Sequence, residues 1–83
     1  MSRDDVLRML RQQPFQPFRL RLSNGIVHEV SHPEMVLATP SSVIVGMPAQ
    51  DAPLPAVSDY VIVSLLHVAQ LEPLPMPTNP TNN

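Results

Sequence analysis

The chain has 83 residues, a net charge of −2 and no cysteine, which limits both its size and its chemistry. A chain of this length fits one domain, and such a domain buries only about 60–65% of its unfolded surface. The absence of cysteine excludes disulfide bonds and thiolate zinc sites. Since 43% of the residues are hydrophobic and only 14% are charged, we expect the protein to complete its core by self-association into a homo-oligomer.

The first predicted element is an amphipathic helix over residues 3–12. Ser2 and Asp5 have the spacing of a capping box, with aspartate in the place of the usual glutamate. Pro14 ends the helix, because the residue before a proline is displaced from the α region. The apolar stripe at helical spacing consists of Val6, Leu7, Met9 and Leu10.

A β-hairpin is predicted next, centred on Gly25. The strand before it alternates apolar residues with Arg19 and Arg21. A two-residue loop would bury Glu29, whereas a three-residue loop over 23–25 places Glu29 on the arginine face. We therefore predict the three-residue loop, with Gly25 in the left-handed conformation. The pairs that this register brings together are Leu22 with Ile26, Leu20 with His28 and Phe18 with Val30.

Short strands and proline-rich breaks fill the rest of the chain. Residues 31–34 break the second strand at Pro33, and residues 48–55 form an alanine- and proline-rich loop. An apolar run resumes over Met35–Thr39, and the later predicted strands are Val43–Met47, where Gly46 is a candidate bulge, Tyr60–Val63 and Val68–Leu71. The predicted fold is mostly β with an N-terminal α-helix: a small, bent, antiparallel five-stranded sheet forming a partly open barrel over residues 1–72. Residues 73–83 form a predicted disordered tail rich in Pro, Asn and Thr.

Catalytic patterns are missing from the sequence. A phosphate-binding loop needs several glycines and usually a lysine, but the chain has two glycines and no lysine. It has no Gly-x-Ser-x-Gly elbow, and its glutamates are too scattered to form a catalytic pair. The three histidines are isolated from one another and from any group of carboxylates. We expect a protein that is not an enzyme and binds no cofactor or metal.

The charges are distributed unevenly along the chain. All five arginines lie within the first 21 residues, which carry a net +3, and the other 62 residues contain five acids and no base. A solvated face or pairing between subunits is the favoured interpretation, and an anionic partner is the alternative. The N-terminus lacks the apolar region of a secretory signal, and no apolar run is long enough to span a membrane. We therefore expect a cytoplasmic protein with no membrane partner.

Several motifs resemble those of a family of short bacterial proteins to which no activity is assigned. These proteins have a helix, a Pro-Phe-x-Pro-Phe strand, a polar hairpin ending in glycine and a His-Pro-Glu turn. The matching segments are 13–18, 22–25, 30–34 and 65–68, so the resemblance covers most of residues 3–72.

The order of elements also resembles the Sm-like fold of the Hfq-type RNA chaperones, which have a helix, five bent strands and a ring-shaped oligomer. The segment 20–26 is similar to the first Sm motif and 66–71 to the second. In that family a lysine and a histidine of the second motif hold uridine. Here Leu66 stands at the lysine position, and His67 matches the histidine. The resemblance implies an RNA-binding ring that would use His67 and the N-terminal arginines, of which the candidates are Arg8, Arg11, Arg19 and Arg21.

Two apolar, uncharged segments without proline are predicted to form exposed sheet edges, namely Val43–Val45 and Tyr60–Val63. Main-chain pairing between copies along one of them would give a dimer or a small ring. The candidate interface residues are Val43, Val45, Tyr60, Ile62 and Val63. Ile62 and Val63 are predicted to point to opposite faces. The sequence thus favours a self-associating module that binds an unidentified protein partner or its own copies, with nucleic-acid binding as the alternative.

Overall fold

The computed structural model describes residues 1–53 and 56–75. These residues form one short N-terminal helix and six strands. The helix α1 is Arg3–Leu10, and the strands are β1 Phe18–Leu22, β2 Val27–Val30, β3 Val36–Ala38, β4 Ser42–Pro48, β5 Val57–Ser64 and β6 Val68–Pro73. Two short 3₁₀ helices, Pro33–Met35 and Leu65–His67, precede β3 and β6 respectively.

The strands form two antiparallel three-stranded sheets that do not close on each other. Sheet A has the order β2-β1-β6, and sheet B has the order β3-β4-β5. The prediction of a mostly β fold behind an N-terminal helix is confirmed. The prediction of a single five-stranded sheet is not confirmed, because the 3₁₀ helix that starts at Pro33 separates β2 from β3 and each pairs in a different sheet.

Helix α1 begins at the predicted cap. The hydroxyl of Ser2 accepts the N–H of Asp5 at 3.2 Å and donates to the Asp5 carboxylate at 2.8 Å. This hydroxyl lowers the pKa of Asp5 below its usual range, because it stabilises the charged carboxylate. The helix ends at Leu10, two residues before the predicted end at residue 12.

The hairpin between β1 and β2 has the predicted three-residue loop. The N–H of Leu22 donates to the Ile26 carbonyl at 2.8 Å, and Leu20 pairs with His28. Gly25 has φ +90°, a conformation that side chains with a Cβ rarely adopt. Glu29 lies opposite Arg19, on the outer face of sheet A. The register argument from Glu29 is therefore confirmed.

The core lies between the inner faces of the two sheets and is closed by the helix. Its members are almost entirely apolar, and no polar side chain is buried within the described residues. The five largest fully buried side chains are Phe18, Leu20, Val6, Val30 and Val43. Phe15, in the segment between α1 and β1, packs edge-to-face against Phe18 with 6.1 Å between ring centroids. The helix packs beside β3 of sheet B, and this aromatic pair anchors the proline-rich connection to sheet A.

Two predicted features lie at different positions in the structure. The irregularity in the β4–β5 ladder falls between Met47 and Pro48, whereas Gly46 pairs regularly with Tyr60. Strand β6 continues to Pro73, and Leu74 then donates to the Pro17 carbonyl at 2.9 Å. The predicted domain end at residue 72 therefore precedes the last main-chain pairing, and residues 76–83 of the predicted tail lie outside the described residues. Within the part of the chain that the structure describes, no helix has the length and apolarity needed to cross a membrane.

Candidate assembly surface

The free main-chain groups of β5 follow from the phase of its ladder with β4. The N–H of Leu65 donates to the Ser41 carbonyl at 2.9 Å, one position beyond the pair Ser42–Ser64. Hydrogen-bonded and non-hydrogen-bonded pairs alternate along an antiparallel ladder. Val61 and Val63 therefore direct their main-chain groups towards β4. The groups of Tyr60, Ile62 and Ser64 point away from it.

Among the described residues, β5 pairs with β4 on one side and leaves its other side open. It spans eight residues, and none of them is proline. The other outer strands have shorter or better protected edges: β3 has three residues, β2 has four and carries Glu29, and β6 ends at Pro73. The open side of β5, called here the β5 edge, is thus the longest unprotected strand edge of the described chain.

Sheet B has an apolar outer face beside this edge. Leu37, Ile44 and Ile62 lie in one cross-strand row on that face, and Tyr60 lies in the next row opposite Gly46. Leu37 is 67% exposed, Ile62 is 64% exposed and Tyr60 is 59% exposed. The outer face of sheet B is defined here by these side chains together with Val57. Large apolar side chains grouped in this way mark contact surfaces more often than single exposed ones do.

A groove of about 260 Å³ runs across this face. Val57 and Met35 close over Gly46, since a Cβ built on that residue would lie 2.8 Å from a methyl carbon of Val57 and 3.4 Å from the terminal methyl carbon of Met35. Between the pairs Met47–Asp59 and Pro48–Val57, β5 contains one extra residue. This bulge shifts the alternation of side chains along β5, so that Val57 lies on the outer face. The residues that line the groove are Glu34, Met35, Leu37, Ile44, Gly46, Val57 and Tyr60.

The predicted interface residues divide between the surface and the core. The prediction that Val43–Val45 forms a sheet edge is wrong, because β4 lies in the middle of sheet B and pairs on both sides. Val43 is 0% exposed and Val45 is 3% exposed, so both belong to the core. Val63 is also buried, whereas Tyr60 and Ile62 are exposed at the β5 edge. Neighbouring residues 62 and 63 thus point to opposite faces, as predicted.

The outer face of sheet A is charged, and its charges are compensated. Arg19 lies 3.5 Å from the Glu29 carboxylate, and Arg21 lies 3.0 Å from the Glu72 carboxylate. The Nε–H of Arg21 also donates to Glu72 at 3.1 Å, so two guanidinium nitrogens share one carboxylate oxygen. Two of the arginines predicted to contact nucleic acid are therefore engaged within the sheet.

The other candidate nucleic-acid residues lie on separate elements. Arg8 is on α1, with its guanidinium 3.7 Å from Asp5, and Arg11 is exposed at the end of that helix. His67 ends the second 3₁₀ helix and is exposed, and its carbonyl accepts the N–H of Ser23 at 2.8 Å. In the described part of the chain, no hydrogen bond or ion pair joins His67 to any of these arginines.

The apolar outer face was not identified from the sequence, although the sequence contains a signal for it. Large apolar residues alternate with the buried valines in β4 and β5, so both faces of these strands are apolar. A strand with one solvated face alternates apolar with polar residues instead. Among residues 1–53 and 56–75, no three His, Asp or Glu side chains are grouped so that they could hold a metal ion.

No protein-family model, curated protein or solved structure matches this chain. The candidate site is therefore defined by its own geometry: an open strand edge, an apolar face beside it, and a compensated charged face on the other sheet.

Proposed function

We propose that this protein is a non-catalytic module that associates with copies of itself by main-chain pairing along the β5 edge. The observation that carries the proposal is the direction of the main-chain groups of Tyr60 and Ile62, which point away from β4 in a strand without proline. A strand from a second copy can bond to these groups and extend sheet B. The product is a dimer or a small ring.

Protection of strand edges supports this proposal. Monomeric proteins protect long edges with lysine, proline, bulges or a covering element. The outward positions of β5 carry Tyr60 and Ile62, and the only charged residue of the strand is Asp59, whose position directs its main-chain groups towards β4. The Asp59 carboxylate accepts the Tyr60 N–H at 2.7 Å, so the outward groups left open are the Tyr60 carbonyl and both main-chain groups of Ile62.

The size of the domain gives a second reason. So short a chain buries a smaller fraction of its surface than larger domains do. Pairing at the β5 edge would shield part of the Ile62 and Tyr60 side chains, which are more than half exposed in the single copy. Association would thereby supply apolar burial that the isolated chain lacks.

We further infer that β2 and β3 are the two halves of one bent strand. Only six chain positions separate Val30 at the end of β2 from Val36 at the start of β3, and the 3₁₀ helix between them turns the chain from sheet A into sheet B. Counted in this way, the chain has five bent strands, in agreement with the Sm-like resemblance. That architecture is compatible with either a dimer or a ring.

RNA or another nucleic acid is the second candidate partner. It is favoured by Arg8 and Arg11, which are exposed three positions apart near the end of α1. It ranks below self-association because Arg19 and Arg21 already pair with carboxylates, which reduces their attraction for phosphate. Fluorescence anisotropy with a labelled single-stranded RNA tests it: binding that is lost in Arg8→Ala and Arg11→Ala variants would support this second function.

Light scattering coupled to gel filtration tests the edge proposal. The wild-type protein should elute as an oligomer at tens of micromolar. Ile62→Pro removes an outward N–H without removing a bond to β4, and it should lower the mass to that of a smaller species. Ile62→Ala is the matched control, since it removes the same side chain and keeps the N–H.

The comparison of the two variants isolates main-chain pairing. Equal masses for Ile62→Pro and Ile62→Ala would contradict pairing at this edge, provided that circular dichroism shows both variants to be folded. A monomeric wild-type protein at the same concentration would also contradict the proposal.

A further inference from the structure

The outer face of sheet B is a larger feature than pairing at the β5 edge can cover. Main-chain pairing places a new strand beside β5, in the plane of the sheet. Leu37 lies on β3, at the opposite side of the sheet, and would remain exposed after such pairing. The row of Leu37, Ile44 and Ile62 therefore needs a different partner surface, one that stacks on the face.

The groove gives this face a definite shape. The groove is about 260 Å³ in volume, which is enough to receive a large apolar side chain. Leu37 stands at the rim and is 67% exposed, more than any other large apolar residue of sheet B. The same face thus carries both a protruding side chain and a recess.

The charge of the face limits its possible partners. Glu34 is the only ionisable carboxylate among the groove residues, and none of them is basic. An anionic partner such as nucleic acid finds no cation there, and a basic partner finds one carboxylate. An uncharged apolar surface is the complement, and the outer face of sheet B in a second copy is such a surface.

The exposed area is of the size that a dimer contact requires. The five partly exposed apolar side chains of this face form a patch on the order of 500 Å². A standard interface buries about 800 Å² on each partner. The apolar side chains alone supply more than half of that area, and the rim around them can supply the rest.

We propose that two copies of this chain stack through the outer faces of sheet B, with Leu37 of each copy entering the groove of the other. The contact is two-fold symmetric, so it closes after two copies. It extends the proposed self-association by a second contact: β5 pairing joins copies edge to edge, and face stacking joins two such units. The full assembly then contains twice as many copies as the edge-paired unit.

Leu37→Lys tests the stacking contact in the full-length protein, because it places a charge in the opposite copy's groove and leaves the β5 edge unchanged. Leu66→Lys is the matched control, since Leu66 is 89% exposed on a 3₁₀ helix outside both sheets. Light scattering should show that Leu37→Lys halves the mass of the assembly and that Leu66→Lys leaves the mass unchanged. Leu37→Thr, which introduces a β-branched residue suited to a strand, should also halve the mass and serves if the lysine variant fails to fold.

The outcomes separate this proposal from the edge proposal. Stacking is overturned if folded Leu37→Lys and Leu37→Thr variants keep the wild-type mass, or if the wild-type protein is a monomer at tens of micromolar. Edge pairing is tested by comparing the masses of the Ile62→Pro and Ile62→Ala variants. If Leu37→Lys halves the mass while the two Ile62 variants have equal masses, the face contact stands without the edge contact.

Discussion

Sheets A and B have the same number of strands and contribute to the same core, but their outer faces differ in chemistry. Sheet A exposes Arg19 and Arg21, and each is held by a glutamate on a neighbouring strand. Sheet B exposes Leu37, Tyr60 and Ile62, whose side chains have no polar partner among the residues that the structure describes. Water solvates the first face at little cost in free energy, whereas it solvates the second face poorly.

The edges of the two sheets also differ, because sheet A resists the addition of a further strand more than sheet B does. Pro73 at the end of β6 and Glu29 in β2 discourage the addition of a strand to sheet A. The β5 edge of sheet B has one charged residue, Asp59, whose carboxylate engages the Tyr60 N–H and leaves the groups of Ile62 open. We infer that sheet A holds the subunit together and faces solvent, while sheet B both completes the core and forms the contact surface.

The two faces of β5 provide the largest test of this contrast. Val63→Lys should destabilise the subunit by about 3–5 kcal/mol, since it leaves an uncompensated charge in the core. Ile62→Lys should leave the subunit folded, because the lysine extends into solvent. Urea denaturation followed by circular dichroism compares the two, and similar losses of stability would show that β5 has no distinct inner and outer faces.

The turn of sheet A requires a glycine at residue 25. Gly25 has φ +90° and open space around it, so its requirement is conformational. Gly25→Val should cost about 1–2 kcal/mol, because a β-branched residue resists positive φ. Gly25→Asn should cost less, since asparagine tolerates this region. Equal melting temperatures for the valine variant and the wild type would contradict the turn.

The end of sheet A can be located by two truncations. A chain that ends at Pro75 keeps Leu74, whose N–H bonds to Pro17 at 2.9 Å and whose carbonyl accepts from the Gln16 amide at 3.2 Å. A chain that ends at Pro73 loses both bonds. The shorter chain should be less stable by about 1 kcal/mol in thermal unfolding. No difference between the two would show that sheet A gains nothing beyond β6.

The ion pairs of sheet A should have the smallest effect. Double-mutant cycles to alanine should give coupling energies of about 0.2–1 kcal/mol. The Arg21–Glu72 pair should couple more strongly than the Arg19–Glu29 pair, because it is closer and its carboxylate is less exposed. Both couplings should fall in about 1 M salt, where screening is strong. A coupling that salt does not change would contradict a surface pair.

The features that could be predicted from the sequence depend on neighbouring residues. The helix cap needs only Ser2 and Asp5, and the hairpin register follows from keeping Glu29 out of the core. The position of β4 could not be predicted in this way. The sequence of Val43–Val45 is typical of a strand, whether the strand is central or at an edge. Its place in the sheet depends on which distant segments pair with it, and the local sequence does not determine that pairing. The ladder irregularity near Pro48 likewise depends on the residue count of β5.

The ladder phase of β5 also determines how fast its amide hydrogens exchange with solvent. In a single copy, the N–H groups of Val61 and Val63 are bonded to β4 and should exchange slowly. Those of Ile62 and Ser64 should exchange quickly, which gives an alternating pattern along one strand. Pairing of two copies would slow the fast set and leave the slow set slow. Hydrogen–deuterium exchange resolved by residue would therefore report assembly from within the contact itself, independently of molecular mass.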